Sequence, residues 1–149
     1  MKWVDIPPVW LIAALTLAWI QPRMVGQGLS LGVGWADFLG GLLVGGGILM
    51  MVLAFVEFRK HKTTPVPHQT PTFLIQSGIF SRTRNPIYLG DAMVLAGLIL
   101  RWDAVLALPL VPIFIWIIEK RFILPEEDRM RRTFRADFAR YERKVRRWM

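Results

Sequence analysis

The chain has 149 residues, 54% of them hydrophobic, and a mean hydropathy of +0.39, yet it carries a formal net charge of +8. Soluble domains rarely combine these properties, because long apolar runs need a surrounding other than water. The absence of cysteine excludes disulfides, zinc–thiolate sites and a cysteine nucleophile, and two histidines are too few for a histidine metal cluster, so we expect no bound metal.

Four apolar segments predict the fold. They cover residues 6–20, 35–58, 86–100 and 104–124, and a membrane-spanning helix needs about 20 residues. We therefore predict a single all-α domain over residues 1–149, built as a polytopic membrane bundle of about four transmembrane helices with a C-terminal amphipathic cytoplasmic helix. The first and third segments are short, so three spans is the alternative. No small-residue cleavage site follows the first segment, so we expect it to be retained as a membrane helix.

Small residues predict close packing of the second and third spans. Gly41 and Gly45 form a small-xxx-small pair in the second span, and Gly40, Gly46 and Gly47 widen this flat face. Ala92 and Ala96 form another such pair in the third span. Such pairs let two helix backbones approach each other. We favour packing within one bundle over dimerisation, and the sequence leaves the oligomeric state open.

The segment before the third span contains Arg84, Asn85 and Pro86. Asn85 suits a helix N-cap, and Pro86 suits the first helical position. Arg84 is a cation at the point where a span enters the membrane. A well-capped helix start and a ligand site explain these three residues equally well.

The fourth span follows a tight turn and contains two prolines. Trp102 and Asp103 mark the turn of an antiparallel hairpin with the third span. Pro109 and Pro112 predict a kink, because a proline inside a helix removes a backbone hydrogen bond.

Three consecutive acids, Glu126, Glu127 and Asp128, follow the fourth span. They open a predicted helix, and the helix dipole favours acids at that end. The alternative is that one or two of them face a polar pocket and accept hydrogen bonds from amine or hydroxyl groups of a ligand.

The C-terminal stretch predicts a basic amphipathic helix. Apolar residues recur at steps of three or four, which places them on one helical face: Met130, Phe134, Phe138, Tyr141, Val145 and Trp148. Such a helix suits either the anionic inner leaflet or the cytoplasmic end of the bundle.

The distribution of basic residues predicts the orientation. Of 19 Lys and Arg residues, 16 lie either between the second and third spans or after residue 119. An even number of crossings separates these two regions, and the positive-inside rule places both in the cytoplasm. We predict an integral protein of the bacterial inner membrane with its active site facing the cytoplasm. This topology accounts for the positive charge, so we expect no nucleic-acid partner.

The sequence resembles the isoprenylcysteine carboxyl methyltransferase and phospholipid methyltransferase group of membrane enzymes. The resemblance is carried by Arg84-Asn85-Pro86-x-Tyr88-x-Gly90, by Glu126-Glu127, and by the apolar stripe up to Trp148; Thr64, Pro67, Leu74 and Gly78 also match. It covers the C-terminal half to two thirds of the chain. The sequence departs from the group at Arg135, where glycine is usual, and at Phe138, where tyrosine is common.

The resemblance implies a site for S-adenosylmethionine in segments 63–90 and 119–149. The residues expected to bind it are His68, Gln69, Leu74, Gly78, Arg84, Asn85, Pro86, Tyr88, Glu126 and Glu127. Arg84, Tyr88 and Glu127 are expected to act in catalysis. Glu126 and Glu127 would hold the ammonium group or ribose, and Arg84 the carboxylate or an anionic substrate.

The implied activity is methyl transfer to a lipophilic carboxylate or amine, with membrane lipids as partners. Such a transfer needs alignment rather than a nucleophilic residue, in agreement with the missing cysteine. Two alternatives remain open at this point. One is an NADPH-dependent reductase of the sterol-reductase architecture, against which the paired glutamates argue, and the other is a membrane scaffold without activity.

Overall fold

The computed structural model describes residues 5–25, 30–66, 69 and 71–149, and the regular elements in these ranges are all helical. The α-helices are α1 (Pro7–Val25), α2 (Val33–Lys60), α3 (Pro86–Arg101), α4 (Leu110–Ile118), α5 (Leu124–Phe134) and α6 (Ala136–Lys144). Two 3₁₀ turns lie at Gly78–Ser81 and Val105–Ala107, and a π-helical turn at Glu119–Ile123 joins α4 to α5. The predicted all-α fold is confirmed.

Two of these helices are long and apolar enough to cross a membrane, α1 and the Gly34–Lys60 part of α2. The 28 residues of α2 give it a length of about 42 Å. Its outward face is apolar, with Phe38 74% and Leu42 62% exposed, as suits a lipid surround. The 16 residues of α3 reach only about 24 Å, less than the roughly 30 Å of a bilayer core. The count of four spans therefore stays a prediction.

Helices α2 and α3 pack through glycines that face each other in antiparallel order. A Cβ atom at Gly40 would lie 2.6 Å from the carbonyl oxygen of Gly97, and one at Gly47 would lie 2.6 Å from that of Gly90. Both pairs are reciprocal, so the two backbones touch at two points seven residues apart. The sequence predicted close packing here with Gly41 and Gly45 as the small-xxx-small pair. The closest approaches are made instead by Gly40 and Gly47, which were expected to widen that face, and Gly45 faces open space.

The main apolar core lies between α3, α4 and the turns that follow them. Its innermost side chains are Leu95 and Ile99 of α3, Ile118 of α4, and Phe122 and Ile123 of the π-helical turn. Ala18 of α1 packs against the same cluster. This core fixes the α3–α4 hairpin, and with it the positions of the polar residues at the two ends of α3.

The predicted kink at the two prolines of the fourth segment is not formed. Helix α4 begins at Leu110, directly after Pro109, and Pro112 lies in its first turn, where backbone N–H groups have no helical acceptor. Neither proline therefore breaks a helical hydrogen bond. The irregularity lies instead at Glu119–Ile123, where the π-helical turn precedes the acidic residues of α5.

The C-terminal amphipathic region forms two helices rather than one. The break falls at Arg135, whose φ of 46° and ψ of −115° end α5 and begin α6. The apolar face is covered by protein: Phe138, Tyr141 and Val145 pack against Leu74. Of the two predicted placements, the described residues therefore support packing over the end of the bundle.

Two contacts attach the segment between α2 and α3 to the helices around it. Gly78 has φ 58°, and a Cβ atom there would lie 2.5 Å from a carboxylate oxygen of Glu57, so glycine is needed. The hydroxyl of Tyr141 donates a 2.6 Å hydrogen bond to the carbonyl of Phe80. The residues that lead into α3 are thus held from both sides.

Candidate functional site

The entrance to α3 lies against the C-terminal residues of the chain. The backbone N–H of Arg84 donates to the carbonyl of Arg146 at 3.1 Å, and the Asn85 side-chain amide donates to the carbonyl of Arg147 at 3.0 Å. Asn85 occupies the N-cap position, but its side chain makes no capping bond, while Pro86 takes the first helical position as predicted. The asparagine therefore serves a tertiary contact instead of its own helix.

Arg84 is a nearly buried cation with one free donor. Its Nη1 lies 3.0 Å from Glu142 and its Nη2 lies 3.3 Å from Glu127, while its side chain is only 10% exposed. The Nε–H group is buried and has no hydrogen-bond partner among the described residues. A buried donor of this kind is costly unless a ligand oxygen accepts from it.

Glu127 is the centre of the ion-pair network. Arg147 approaches it with two hydrogen bonds of 2.9 Å, one to each carboxylate oxygen, which is the bidentate geometry of a strong pair. Arg84 and Arg131 each add a contact of 3.3 Å. Three guanidinium groups therefore share one buried carboxylate.

Glu142 and Glu119 extend this network in two directions. Glu142 joins Arg84 to Arg131, which it meets at 2.7 Å. Burial raises the pKa of the Glu142 carboxyl, but hydrogen bonds and charge from Arg131 and Arg84 outweigh it and hold that pKa below its ordinary value. Glu119, on the π-helical turn, accepts from Arg147 at 3.1 Å. The network thus links α4, α5, α6 and the entrance to α3.

A second polar group lies on the first turns of α3. The hydroxyl of Tyr88 donates a 2.8 Å hydrogen bond to Glu126. Asp91 lies three residues further along, on the same helical face, and is only 7% exposed. Tyr88, Asp91 and Glu126 all line one cavity.

This cavity has a volume of about 400 Å³, within the range of roughly 300 to 1,000 Å³ typical of small-molecule sites. Its polar part includes Arg84, Asn85, Tyr88, Asp91, Glu126 and Glu127. Its apolar part includes Met51, Phe55 and Phe58 of α2, Ile87 of α3, and Pro7 and Pro8 of α1. The arrangement suits a ligand or ligand pair with both charged and apolar parts. The described residues contain no group of three acids or histidines that could hold a metal ion.

Comparison with known proteins gives the family. The sequence profile of phospholipid methyltransferases matches residues 35–137, which include nearly all of α2 and the whole of α3, α4 and α5. The chain belongs to the phospholipid methyltransferase family. Membership indicates a methyltransferase that acts on a lipid-like substrate at a membrane. No curated protein and no solved structure matches the chain.

The structure brings together most of the residues predicted to form the methyltransferase site. Seven of the ten line the cavity: Gln69, Arg84, Asn85, Pro86, Tyr88, Glu126 and Glu127. Leu74 and Gly78 do not: Leu74 packs in the apolar cluster under α6, and Gly78 lies against Glu57. His68 lies outside the described residues. That these residues bind a methyl donor stays a prediction.

Sequence reasoning about this member of the family missed three charged residues. Asp91 had a readable signal, since an acid inside an apolar span is a candidate functional residue. Arg147 belongs to the resemblance only as the residue before Trp148 and was given no role, and Glu142 was not singled out. Their pairing with residues 20 and 58 positions away has no sequence signal.

Proposed function

We propose that this chain transfers a methyl group from S-adenosylmethionine to a lipophilic carboxylate or amine at the cytoplasmic face of the membrane. The observation that carries the proposal is the buried Nε–H of Arg84, which has no partner within the described part of the chain. It lies in a cavity that is acidic at one side and apolar at the other. An amino-acid carboxylate is a suitable acceptor for that donor. The family membership supports the same reaction class.

The residues present fit the methyl donor. Arg84 would hold its carboxylate through Nε. Glu126, already bonded to Tyr88, would accept from its ammonium group or ribose hydroxyls, and Gln69 would face its adenine. Glu127 is engaged by three arginines, so we assign it the task of holding Arg84 in place.

The bound donor supplies a methyl group on a sulfonium centre, which is already activated for transfer. The chain then has to orient its two ligands and exclude water, and alignment alone is worth about 7 to 11 kcal/mol in favourable cases. The ion-pair network fixes Arg84, and the core beneath α3 fixes Tyr88. These residues provide the positioning that the reaction needs.

The apolar part of the cavity suits the lipid-like acceptor. Met51 and Phe55 belong to α2, whose outward neighbours are exposed apolar side chains. We infer that the acceptor reaches the cavity from the bilayer. The basic residues around the site favour the cytoplasmic side for the water-soluble donor.

The test is calorimetric titration of the detergent-solubilised protein with S-adenosylmethionine, S-adenosylhomocysteine and NADPH. We expect saturable binding of the first two and none of NADPH. Arg84→Lys keeps the charge but removes the Nε–H donor, and we expect it to weaken S-adenosylmethionine binding at least tenfold. The matched control, Arg82→Lys, alters an exposed arginine and should leave binding unchanged. Saturable binding of NADPH alone would overturn the proposal.

A further inference from the structure

Asp91 is a buried acid that the proposed site has not yet used. It lies inside α3, one residue after the glycine that touches Gly47 of α2. The close α2–α3 contact therefore fixes its backbone. Its position three residues after Tyr88 points both side chains into the same cavity, which Met51 and Phe55 line from the apolar side.

The Asp91 carboxylate has no hydrogen bond or ion pair with any of the residues that the structure describes. The fully buried polar side-chain atoms that lack a partner in the described residues do not include the Asp91 oxygens. These oxygens are therefore accessible at the cavity surface. A lone carboxylate in apolar surroundings is costly unless a cation or a proton joins it. The geometry thus favours a ligand that brings a positive charge to the α3 wall of the cavity.

The other charged and titratable groups of the cavity leave this task to Asp91. Arg84, Glu127 and Arg129 belong to the end formed by the C-terminal helices, and Tyr88 and Glu126 are paired with each other. Tyr141 donates to the carbonyl of Phe80. The cavity side chains of α1 and α2 are apolar. Among the described residues, Asp91 is therefore the cavity acid left without a partner, and it lies on α3, the helix that packs against α2.

We propose that Asp91 receives the methyl acceptor: it pairs with the ammonium form of a lipid amine and takes the proton that the nitrogen must lose before it reacts. This inference rests on the proposed function, and what it adds is the residue that receives the acceptor and its proton. A carboxylate acceptor would bring a second negative charge to Asp91, which like-charge repulsion disfavours.

The proposed step balances as follows. A proton moves from the lipid ammonium to the Asp91 carboxylate and leaves a neutral amine. The nitrogen lone pair forms the new N–CH₃ bond while the C–S bond of the donor breaks, and its electron pair stays on sulfur. The products are an N-methylammonium lipid and a neutral thioether. The Asp91 proton passes to water when the products leave.

The experiment measures methyl transfer by the purified protein to phosphatidylethanolamine in detergent micelles, with oleate micelles as the carboxylate probe. We expect the unmodified protein to methylate the amine lipid and not oleate. Asp91→Asn should lower kcat by about 100-fold or more, the usual range for losing a proton acceptor, while the Kd for S-adenosylmethionine stays within about twofold. The loss of kcat in Asp91→Asn relative to the unmodified protein should become smaller as the pH rises towards the pKa of the amine, about 10. Asp91→Glu should restore part of the rate.

The control is Asp37→Asn, which changes an acid at the opposite end of α2 and should leave the rate unchanged. An Asp91→Asn protein as active as the unmodified one, or a deficit that is the same at every pH, would overturn the inference, as would methylation of oleate in preference to the amine lipid. The acceptor comparison needs no variant, so it holds even if a variant fails to fold. Absence of S-adenosylmethionine binding by the unmodified protein would remove the proposed function as well.

Discussion

Glu127 shows how one side chain can hold several charged residues of a site in place. It accepts from Arg84, Arg131 and Arg147, and it is only 4% exposed. A carboxylate has about four lone-pair positions, and these contacts occupy them. Glu127 therefore determines where Arg84 points, and Glu126 is the acid of the pair that is better placed to meet the methyl donor.

Replacing Glu127 should destabilise the protein more than replacing Glu142, the other acid that pairs with Arg84. Glu127→Gln leaves three guanidinium groups around a neutral amide, and removal of one partner from a buried pair costs about 3 kcal/mol or more. The matched variant Glu142→Gln changes a more exposed carboxylate, for which we expect about 1 kcal/mol or less. Unfolding by SDS in mixed micelles measures both. Equal losses for the two variants would contradict the central position of Glu127.

The Arg84-Asn85-Pro86 motif shows what sequence can predict for single residues. The helix start and the position of Pro86 were predictable, because both follow from local backbone preferences. The partners of Asn85 and Arg84 were not, because they lie about 60 positions further along the chain. Local preferences give the place of a residue, whereas its partners depend on the tertiary fold.

The junction of α5 and α6 carries backbone strain at Arg135. Its φ of 46° with ψ of −115° lies in a region that suits glycine and costs other residues about 1 to 3 kcal/mol. Related sequences usually have glycine here, according to the resemblance above. We expect Arg135→Gly to raise the free energy of unfolding by about 1 kcal/mol.

The control for this substitution is Arg132→Gly, inside α5, where glycine should lower the free energy of unfolding by about 1 kcal/mol. Thermal unfolding of the detergent-solubilised proteins shows the two shifts. Opposite signs support the strained break, and a loss of stability in both variants would contradict it.

The α2–α3 contact depends on glycines that have no room for a side chain. A Cβ atom at Gly97 would lie 2.6 Å from the carbonyl oxygen of Gly40, and both atoms belong to rigid helices. Gly97→Ala should therefore separate the helices and cost about 1 to 3 kcal/mol, as overpacking does. Gly45→Ala meets nothing within 4 Å and should cost nothing. Unfolding by SDS in mixed micelles measures the stability of both variants. Equal stability of Gly97→Ala and Gly45→Ala would contradict the close α2–α3 contact.

At the level of whole helices, the apolar patterns predicted where helices lie better than they predicted where helices bend or break. The start of α3 and both ends of α2 agree with the predicted segments to within two residues. The proline kink was not formed, because the effect of a proline depends on where the helix begins. The break at Arg135 depends on how Phe138 and Tyr141 pack under the bundle, which periodicity does not describe.

At the scale of the whole molecule, the ion-pair network lies at one end of the α3–α4 hairpin. Arg84 lies just before α3, Glu119 and Glu127 follow α4, and Glu142 lies on α6, so the ion-pair network closes that end. Counting basic residues along the chain predicted which segments share a side of the membrane. It did not predict which arginine meets which acid, since that choice is made by the geometry of the π-helical turn and the α5–α6 break.

The short α3 makes the membrane crossing itself the decisive test of this architecture. A helix of 16 residues crosses only if the lipid is thinned or its flanking residues contribute. The chain lacks cysteine, so single cysteines report their own accessibility to a membrane-impermeant maleimide. Leu106→Cys, at an exposed position between α3 and α4, should be labelled in intact cells. Arg132→Cys, on α5, should be labelled only in inverted membrane vesicles. If both cysteines react from the same side, the α3–α4 hairpin enters the membrane and returns without crossing it, and the prediction of four spans is wrong.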